Sequence, residues 1–329
     1  MKALYQSVFG CGHLVNDPSA AAAYIRTEAE SCPNRQPYTE PLDGDYTRVY
    51  LSVLQTGLSA DTLAKLLVLS ASEPHGDVSE LESKLAVLTD LVEQRKLPFS
   101  AQETADKLAA WRNADYPACH HSESYRDAYR PAYRLIHNRY IPYLPLFAAI
   151  DRTLAQKGKV LAAIEGGSAS GKTTLSKMLE SVCDCNVFHM DDFFLQPHQR
   201  TKERLAEIGG NVDYERFDNE VMQPLCEGEP VRYRRFDCGS MTIQQPVMMP
   251  VKRINIVEGA YSMHPTLAKR YDLSLFLHID PQLQKKRIEI RNTPFMQEKF
   301  FHIWIPMENR YFAHTDIRSR CTLVMEVKE

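Results

Sequence analysis

Residues 160–175 read VLAAIEGGSASGKTTL, and this stretch decides the fold of the second half of the chain. The apolar run Val160–Ile164 predicts a buried strand, and the residues from Thr173 onward predict a helix. Between them, Gly166 to Thr173 match the pattern G-x-x-x-x-G-K-[ST]. Glycines let the backbone curl so that successive N–H groups point inward, and the N-terminus of the next helix adds a positive field. The strand, loop and helix together predict a phosphate-binding loop.

This loop also predicts a nucleotide and a metal ion. We expect Lys172 to reach the β- and γ-phosphates and the Thr173 hydroxyl to ligate Mg²⁺. No [NT]-K-x-D sequence follows the loop, which disfavours a GTPase and leaves ATP as the expected donor. The predicted nucleotide-binding residues are Gly166, Gly167, Ser168, Ala169, Ser170, Gly171, Lys172, Thr173 and Thr174.

Around the loop, apolar runs and helical stretches alternate. The predicted strands are Val160–Ile164, Asn186–Met190, Ile254–Val257 and Leu273–Ile279. The predicted helices lie near Thr173–Ser181, Asn219–Glu227 and Pro281–Arg291. Such alternation is typical of an α/β domain with a parallel sheet flanked by helices.

Two carboxylates end the second predicted strand. The segment VFHMDDFF puts Asp191 and Asp192 at the edge of the sheet where parallel α/β domains bind their ligands. A carboxylate there can accept the proton of an attacking hydroxyl and help to hold a metal ion. The alternative is that either side chain only caps the following segment.

The segments GGSASGKTT, HMDDFF and INIVEGAY together resemble the uridine kinase, phosphoribulokinase and nicotinamide riboside kinase group of P-loop kinases. The resemblance extends from about residue 160 to the C-terminus. It implies a P-loop kinase fold. It also implies an enzyme that uses ATP and Mg²⁺ to phosphorylate a hydroxyl of a small, nucleoside-like substrate. It also implies that Asp191 is the catalytic base and that Glu258, which ends a further strand, lies near the metal and the substrate. The implied metal ligands are therefore Thr173, Asp191 and Glu258.

The resemblance implies a substrate site as well. The segment Asn211-Val212-Asp213 fits an N-F-D signature whose carboxylate binds ribose hydroxyls, so Asp213 is the expected ribose ligand, and the adjacent Tyr214 is a further expected substrate-binding residue. An Asx turn is the alternative for Asp213.

The segment VRYRRFDCGS falls where the family has a base-binding hairpin. Tyr233 or Phe236 would stack on the base there, and Arg234 or Arg235 would contact it. The family's Tyr and His pair for uracil is not clearly matched, and an ordinary exposed hairpin is the alternative.

Two arginines complete the predicted catalytic set. Arg287 and Arg291 are four residues apart and therefore share one face of a helix. The resemblance implies that they clamp the transferred phosphoryl group, beside Lys172 and Asp191; a solvated basic face is the alternative. Trp304, Glu308 and Arg310, further along, receive no role.

The first half, residues 1–158, reads as a mainly helical domain, and residues 159–329 as the kinase domain. Leu81, Leu85, Leu88 and Val92 recur at helical spacing. Helix starts are predicted at Ser59, Asp77 and Ser100, whose side chains can cap the first turn.

One stretch of this half is rich in tyrosine and arginine. Tyr125, Tyr129 and Tyr133 are four residues apart, with an arginine after each, and Pro131 must interrupt any helix there. A platform for anions or RNA and a packing face between domains are the two interpretations. The preceding run Cys119-His120-His121 lacks a suitably spaced fourth ligand, which disfavours a metal site.

Composition excludes several classes of protein. The 329 residues, 44% hydrophobic and 25% charged, are those of a globular chain of about two domains. The formal charge of −3 predicts no general attraction to nucleic acid or membrane. No apolar stretch is long enough to span a membrane, no secretory signal is expected in the first 12 residues, and eight scattered cysteines favour a reduced, cytoplasmic protein.

Other functions remain open. The acceptor could be a sugar phosphate, pantothenate or a vitamin precursor. The chain could also be an ATPase or a nucleotide-regulated module whose first half binds a partner, and a homo-oligomer is left open.

Overall fold

The computed structural model of the chain describes residues 1–12, 17 and 19–328. The chain divides into two compact units, Met1–Asp151 and Arg152–Glu329. The boundary after residue 158 stays a prediction.

The first unit is mainly helical. Its helices are α1 (Lys2–Phe9), α2 (Ala21–Ala29), α3 (Ala60–Ala71), α4 (Val78–Glu93), α5 (Ala101–Asn113), α6 (Glu123–Tyr129) and α7 (Leu144–Lys157), the last of which extends past the division. The three predicted helix starts are confirmed: the side chains of Ser59, Asp77 and Ser100 each accept a hydrogen bond from a backbone N–H three residues on. Leu81 and Leu85 are fully buried against α1 and α5, which confirms the predicted apolar face of α4.

The first unit also contains a sheet that the sequence did not predict. Its strands are β1 (Thr39–Pro41), β2 (Tyr46–Tyr50) and β3 (Tyr133–His137), all antiparallel, in the order β1-β2-β3. Tyr133 therefore does not share a helical face with Tyr125 and Tyr129. The physical reason is that α6 ends at Arg130, which has a φ of 41°, and Pro131 cannot continue a helix.

The second unit is built on a parallel sheet, as predicted. Its strands are β4 (Val160–Gly166), β5 (Cys185–His189), β8 (Ile254–Glu258), β9 (Leu273–His278) and β10 (Leu323–Glu326), and β6 (Val231–Asp237) and β7 (Thr242–Met249) form a separate hairpin. The parallel strands lie in the order β10-β9-β4-β8-β5. The phosphate loop therefore follows the central strand, and the carboxyl ends of β4, β5 and β8 meet at one edge.

Helices cover this sheet, which confirms the predicted α/β class. They are α8 (Lys172–Val182), α9 (Lys202–Ala206), α10 (Tyr214–Phe217), α11 (Gln223–Glu227), α12 (Pro281–Arg291), α13 (Pro294–Lys299), α14 (Ile305–Thr315) and α15 (Ile317–Arg320). The helix predicted near Asn219–Glu227 begins as a π-helical turn, Asp218–Met222, before α11.

Among the described residues, no helix combines the length and the apolar character that crossing a membrane requires.

Candidate functional site

The loop between β4 and α8 has the backbone of a phosphate cradle. Gly166, Ala169 and Gly171 have φ values of 151°, 59° and 95°, so the chain turns sharply three times. A Cβ atom on Gly166 would lie 2.6 Å from the carbonyl oxygen of Leu277, which restricts that position to glycine. The first N–H groups of α8, which starts at Lys172, have no intrahelical acceptor and can bind an anion. The predicted loop geometry is present in full.

Two polar groups of this loop fit a phosphate ligand. Ser170 Oγ is buried and has no hydrogen-bond partner among the described residues. Lys172 Nζ donates to the carbonyl oxygens of Gly166 and Gly167, at 2.9 and 3.0 Å, so the ammonium group is folded back onto the loop. Phosphate oxygens accept hydrogen bonds from both groups, and the loop therefore fits a nucleotide.

A carboxylate of the chain itself already lies on the loop. Glu308, on α14, is 6% exposed. Its Oε2 accepts from the backbone N–H of Ser168 at 2.9 Å and its Oε1 from the Ser168 hydroxyl at 2.6 Å. Gln284 Nε2 donates to the Ser168 carbonyl at 2.8 Å and fixes the same residue from α12. The sequence predicted no role for Glu308. The residues around Glu308 give no sign that it contacts a loop residue 140 positions earlier in the chain.

A second cluster joins the ends of β8 and β5. The parallel register pairs Glu258 with His189. Glu258 Oε1 accepts from the Thr173 hydroxyl at 3.1 Å and lies 2.6 Å from His189 Nδ1. The hydrogen bond to Glu258 raises the pKa of His189, against the effect of burial. The structure thus brings the predicted metal ligands Thr173 and Glu258 together, and adds a histidine that the motif HMDDFF contained but that was not singled out.

Asp191 stands in a short 3-10 turn directly after β5. Asp191 is exposed to solvent, yet partial desolvation by the surrounding protein raises the pKa of its carboxyl group. The carboxylates of Glu258 and Glu308 act in the same direction, while Lys172 opposes them. Asp191 is therefore within electrostatic reach of both the loop lysine and the predicted metal ligands.

The described residues contain no group of three or more His, Cys, Asp or Glu side chains placed to hold a metal ion by themselves. Mg²⁺ binds through one or two carboxylates, with phosphate oxygens and waters completing its shell. The oxygen atoms of Thr173, Glu258 and Asp191 fit that mode of binding.

The position of Tyr233 contradicts the prediction that this residue stacks on a substrate base. Its ring is fully buried, stacked on Phe193 at 5.7 Å and edge-on to Phe188, so it has no face left for a substrate base. Its hydroxyl and Arg235 Nε lie 3.4 and 3.3 Å from Asp192 Oδ2. The alternation of β6 explains the error, because Tyr233 occupies an inward position of the predicted hairpin.

Asp213 and Tyr214 are engaged by the protein. Asp213 Oδ1 accepts from the Arg216 backbone N–H at 3.0 Å and so caps α10, and its Oδ2 accepts from Gln199 Nε2 at 2.8 Å. Tyr214 stacks on His264 with ring centroids 3.9 Å apart. This contact with the N–H three residues on is a helix N-cap and not the Asx turn that was the alternative for Asp213. The ribose-binding role of Asp213 stays a prediction.

The two predicted arginines differ in position. Arg287 donates to the carbonyl oxygens of Ala169, at 3.2 Å, and Lys328, at 2.8 Å, and thus lies against the loop. Arg291 is exposed one turn further along α12. Thr174, also predicted, is exposed in the first turn of α8.

A buried glutamate at the end of β4 holds the start of the loop by hydrogen bonds. Glu165 is 0% exposed and accepts hydrogen bonds from the backbone N–H groups of Gly166 and Met263, both at 2.9 Å. The Tyr311 hydroxyl donates to it at 3.2 Å. Burial raises the pKa of Glu165 to about 7. Glu165 was not predicted as a site residue, because nothing in the sequence indicates that a single glutamate in an apolar strand accepts hydrogen bonds from the loop backbone.

A cavity of about 560 Å³ lies on the other side of the loop, toward β9. Its wall includes Gly167, Phe276, His278, Gln284 and Phe312. Since β9 and β8 flank β4 on opposite sides, this cavity and the Glu258 cluster lie on opposite sides of the loop.

Comparisons with known proteins return structures only. No protein-family model and no curated protein matches the chain. A possible uridine kinase from Bacillus stearothermophilus is similar over 55% of this chain and 98% of its own, with 18% identity and a TM-score of 0.42. A protein provisionally named fructose transport system kinase, from Silicibacter sp. TM1040, is similar over 51% and 90%, with 22% identity and a TM-score of 0.40. A shikimate kinase from Bacteroides thetaiotaomicron is similar over 51% and 86%, with 16% identity and a TM-score of 0.29.

Proposed function

We propose that the second unit is an ATP- and Mg²⁺-dependent kinase that phosphorylates a hydroxyl of a small, nucleoside-like substrate. The observation that carries this proposal is the position of Asp191. Its carboxylate stands at the same sheet edge as the phosphate loop, where Lys172 and Glu258 both act on its pKa. A nucleotide switch has no need of a base there, whereas phosphoryl transfer to a hydroxyl does.

In this proposal the nucleotide lies across the loop. Its phosphates replace the Glu308 carboxylate on Ser168 and take Lys172 Nζ from the carbonyl oxygens that it now contacts. The cavity beside Gly167 receives the nucleoside part, since its aromatic wall suits a flat base. Arg287, already against the loop, adds positive charge near the phosphates.

The acceptor then lies on the Asp191 side. The hydroxyl oxygen of the substrate forms a bond to the γ-phosphorus, its proton passes to the Asp191 carboxylate, and the bond from the γ-phosphorus to the bridging oxygen breaks with its electron pair leaving on ADP. A raised pKa makes Asp191 a better proton acceptor, because base catalysis is most effective near the working pH. Mg²⁺, when bound through Thr173 and Glu258, neutralises phosphate charge.

The chain would work in the cytoplasm. None of its eight cysteines forms a disulfide in the described structure, which supports a reducing compartment. We propose a small molecule as its only obligatory partner.

The test is a screen of nucleosides, sugar phosphates and vitamin precursors for phosphoryl transfer from ATP, with wild type, Asp191→Asn and Asp192→Asn. We expect transfer to a nucleoside that Asp191→Asn abolishes while ATP binding survives. Asp192→Asn is the matched control, because Asp192 is already paired with Arg235. Unchanged turnover in Asp191→Asn would eliminate the proposed base. Transfer to a sugar phosphate or vitamin precursor alone would refute the nucleoside-like acceptor, and ATP hydrolysis without any acceptor would favour an ATPase.

A further inference from the structure

A cavity of about 510 Å³ lies in the first unit, between α1, α2 and β3. Its wall includes Lys2 and Gln6 from α1, Glu28 from α2, and Tyr133 and Arg134 from β3. This volume is within the range of small-molecule sites, which is roughly 300–1,000 Å³. The catalytic proposal for the second unit makes no use of it.

The cavity wall carries a cation whose charge is not neutralised. Lys2 Nζ lies 5.8 Å from the centre of the Tyr133 ring, and Lys2 has no ion pair within the described part of the chain. Burial lowers the pKa of Lys2, and together with the nearby positive charges of Arg48 and Arg126 it brings the pKa to about 8. An ammonium group held among like charges is costly unless an anion joins it.

A hydrogen-bond donor on the same wall has no acceptor. Gln6 is 1% exposed, and its Oε1 accepts from Arg48 Nη2 and from the Tyr133 hydroxyl, both at 3.3 Å. Because arginine can only donate, this contact sets the orientation of the amide. Gln6 Nε2 is then left buried with no partner among the described residues. Such a group calls for an acceptor.

The carboxylates of the wall are otherwise engaged. Glu28 Oε2 accepts from Arg134 Nη2 at 2.8 Å. Asp17 Oδ1 accepts from the backbone N–H of Ser19 in its own turn, at 2.9 Å. No contact of either with Lys2 or Gln6 Nε2 is found between described residues.

We propose that this cavity binds a small organic anion. An oxygen of its phosphate or carboxylate group accepts hydrogen bonds from Lys2 Nζ and Gln6 Nε2, and the rest of the molecule fills the cavity beside Tyr133. The first unit is thereby a ligand-binding module. Its binding of a small anion is independent of the kinase reaction and involves no RNA.

The experiment uses the full chain carrying Lys172→Ala, so that anions do not bind at the phosphate loop. Inorganic phosphate, ribose 5-phosphate and citrate are titrated by calorimetry into this protein, and into versions that also carry Lys2→Gln, Lys2→Arg or Lys65→Gln. We expect one organic anion to bind, Lys2→Gln to weaken it at least about ten-fold, and Lys2→Arg to restore most of the affinity. Lys65, exposed on α3, is the matched control and should have no effect.

Three outcomes would overturn the inference. One is that none of the anions binds, and another is that Lys2→Gln binds as tightly as its parent. The third is that inorganic phosphate binds as tightly as the organic anions, which would assign the site to the free ion. Melting curves of all versions show that the fold is retained, and removing the charge of Lys2 should not lower the melting temperature.

Discussion

Glu308→Gln should tighten the binding of ATP. In the structure the Glu308 carboxylate holds both the N–H and the hydroxyl of Ser168, on the face of the loop that the phosphates need. In the proposed function, a nucleotide must therefore displace this buried carboxylate before it binds. The glutamine side chain of Glu308→Gln has the same shape, and can still accept from the N–H and donate to the hydroxyl, but it carries no charge.

The size of the effect follows from these two hydrogen bonds. A hydrogen bond to a charged group contributes about 1.5–3 kcal/mol and a neutral one about 0.5–1.5 kcal/mol. Losing the charge on Glu308 thus removes roughly 1 kcal/mol for each of the two bonds to Ser168, or about 2 kcal/mol from the nucleotide-free state. Since 1.4 kcal/mol corresponds to a factor of ten, the affinity for ATP should rise by about 10- to 30-fold.

Calorimetric titration of wild type and Glu308→Gln with ATP and with ADP, in buffer containing Mg²⁺, measures this change. Glu298→Gln is the control, because Glu298 is 74% exposed on α13 and its removal alters the net charge equally. An ATP dissociation constant in Glu308→Gln that stays within two-fold of wild type, or becomes weaker, would refute the displacement. Glu308 would then be a support of the loop and not a competitor of the phosphates.

Three further predictions test the surroundings of the site and the core. Because burial raises the pKa of Glu165 from 4.5 to about 7, the folded chain binds this proton more tightly than the unfolded chain, and the free energy of unfolding should fall as the pH rises through that window. Urea unfolding at several pH values should show that Glu165→Gln removes this fall, on the order of 3 kcal/mol. NMR titration should give His189 a pKa above 6.5 that drops in Glu258→Gln, since burial alone lowers it; an unchanged value would contradict the pairing. Leu81→Ala should lower the free energy of unfolding by about 2–5 kcal/mol and the exposed Val87→Ala by about 0.5 kcal/mol or less, and equal losses would contradict the burial of Leu81.

Sequence patterns predicted those strands and helices whose formation depends on residues close together in the chain. The strand before the loop and the helix after it are short-range features, since apolar runs and helical periodicity act within a few residues. The pairing of Thr173 with Glu258 was also within reach, because parallel strands end at the same sheet edge.

The missing parts depend on distant contacts. The strand β10 is four residues long at the edge of the sheet, and only its pairing with β9 distinguishes it from a loop. The strands β2 and β3 likewise pair segments that are about 90 residues apart, so this pairing has no local signature. For Tyr233, the sequence predicted the hairpin but not which face of it is buried by Phe193.

The loop motif predicts an anion site but not what occupies it. The inward N–H groups of a curled backbone need an acceptor, which can be a ligand, water or a group of the chain itself. Here Glu308 supplies a carboxylate to Ser168, and the carbonyl oxygens of Gly166 and Gly167 supply acceptors to Lys172. Both sets of contacts supply, from the chain itself, hydrogen-bond acceptors of the kind that a bound phosphate would offer. In the proposed function, the affinity for the nucleotide is therefore a difference between two occupied states, and it depends on Glu308 of α14 as well as on the motif.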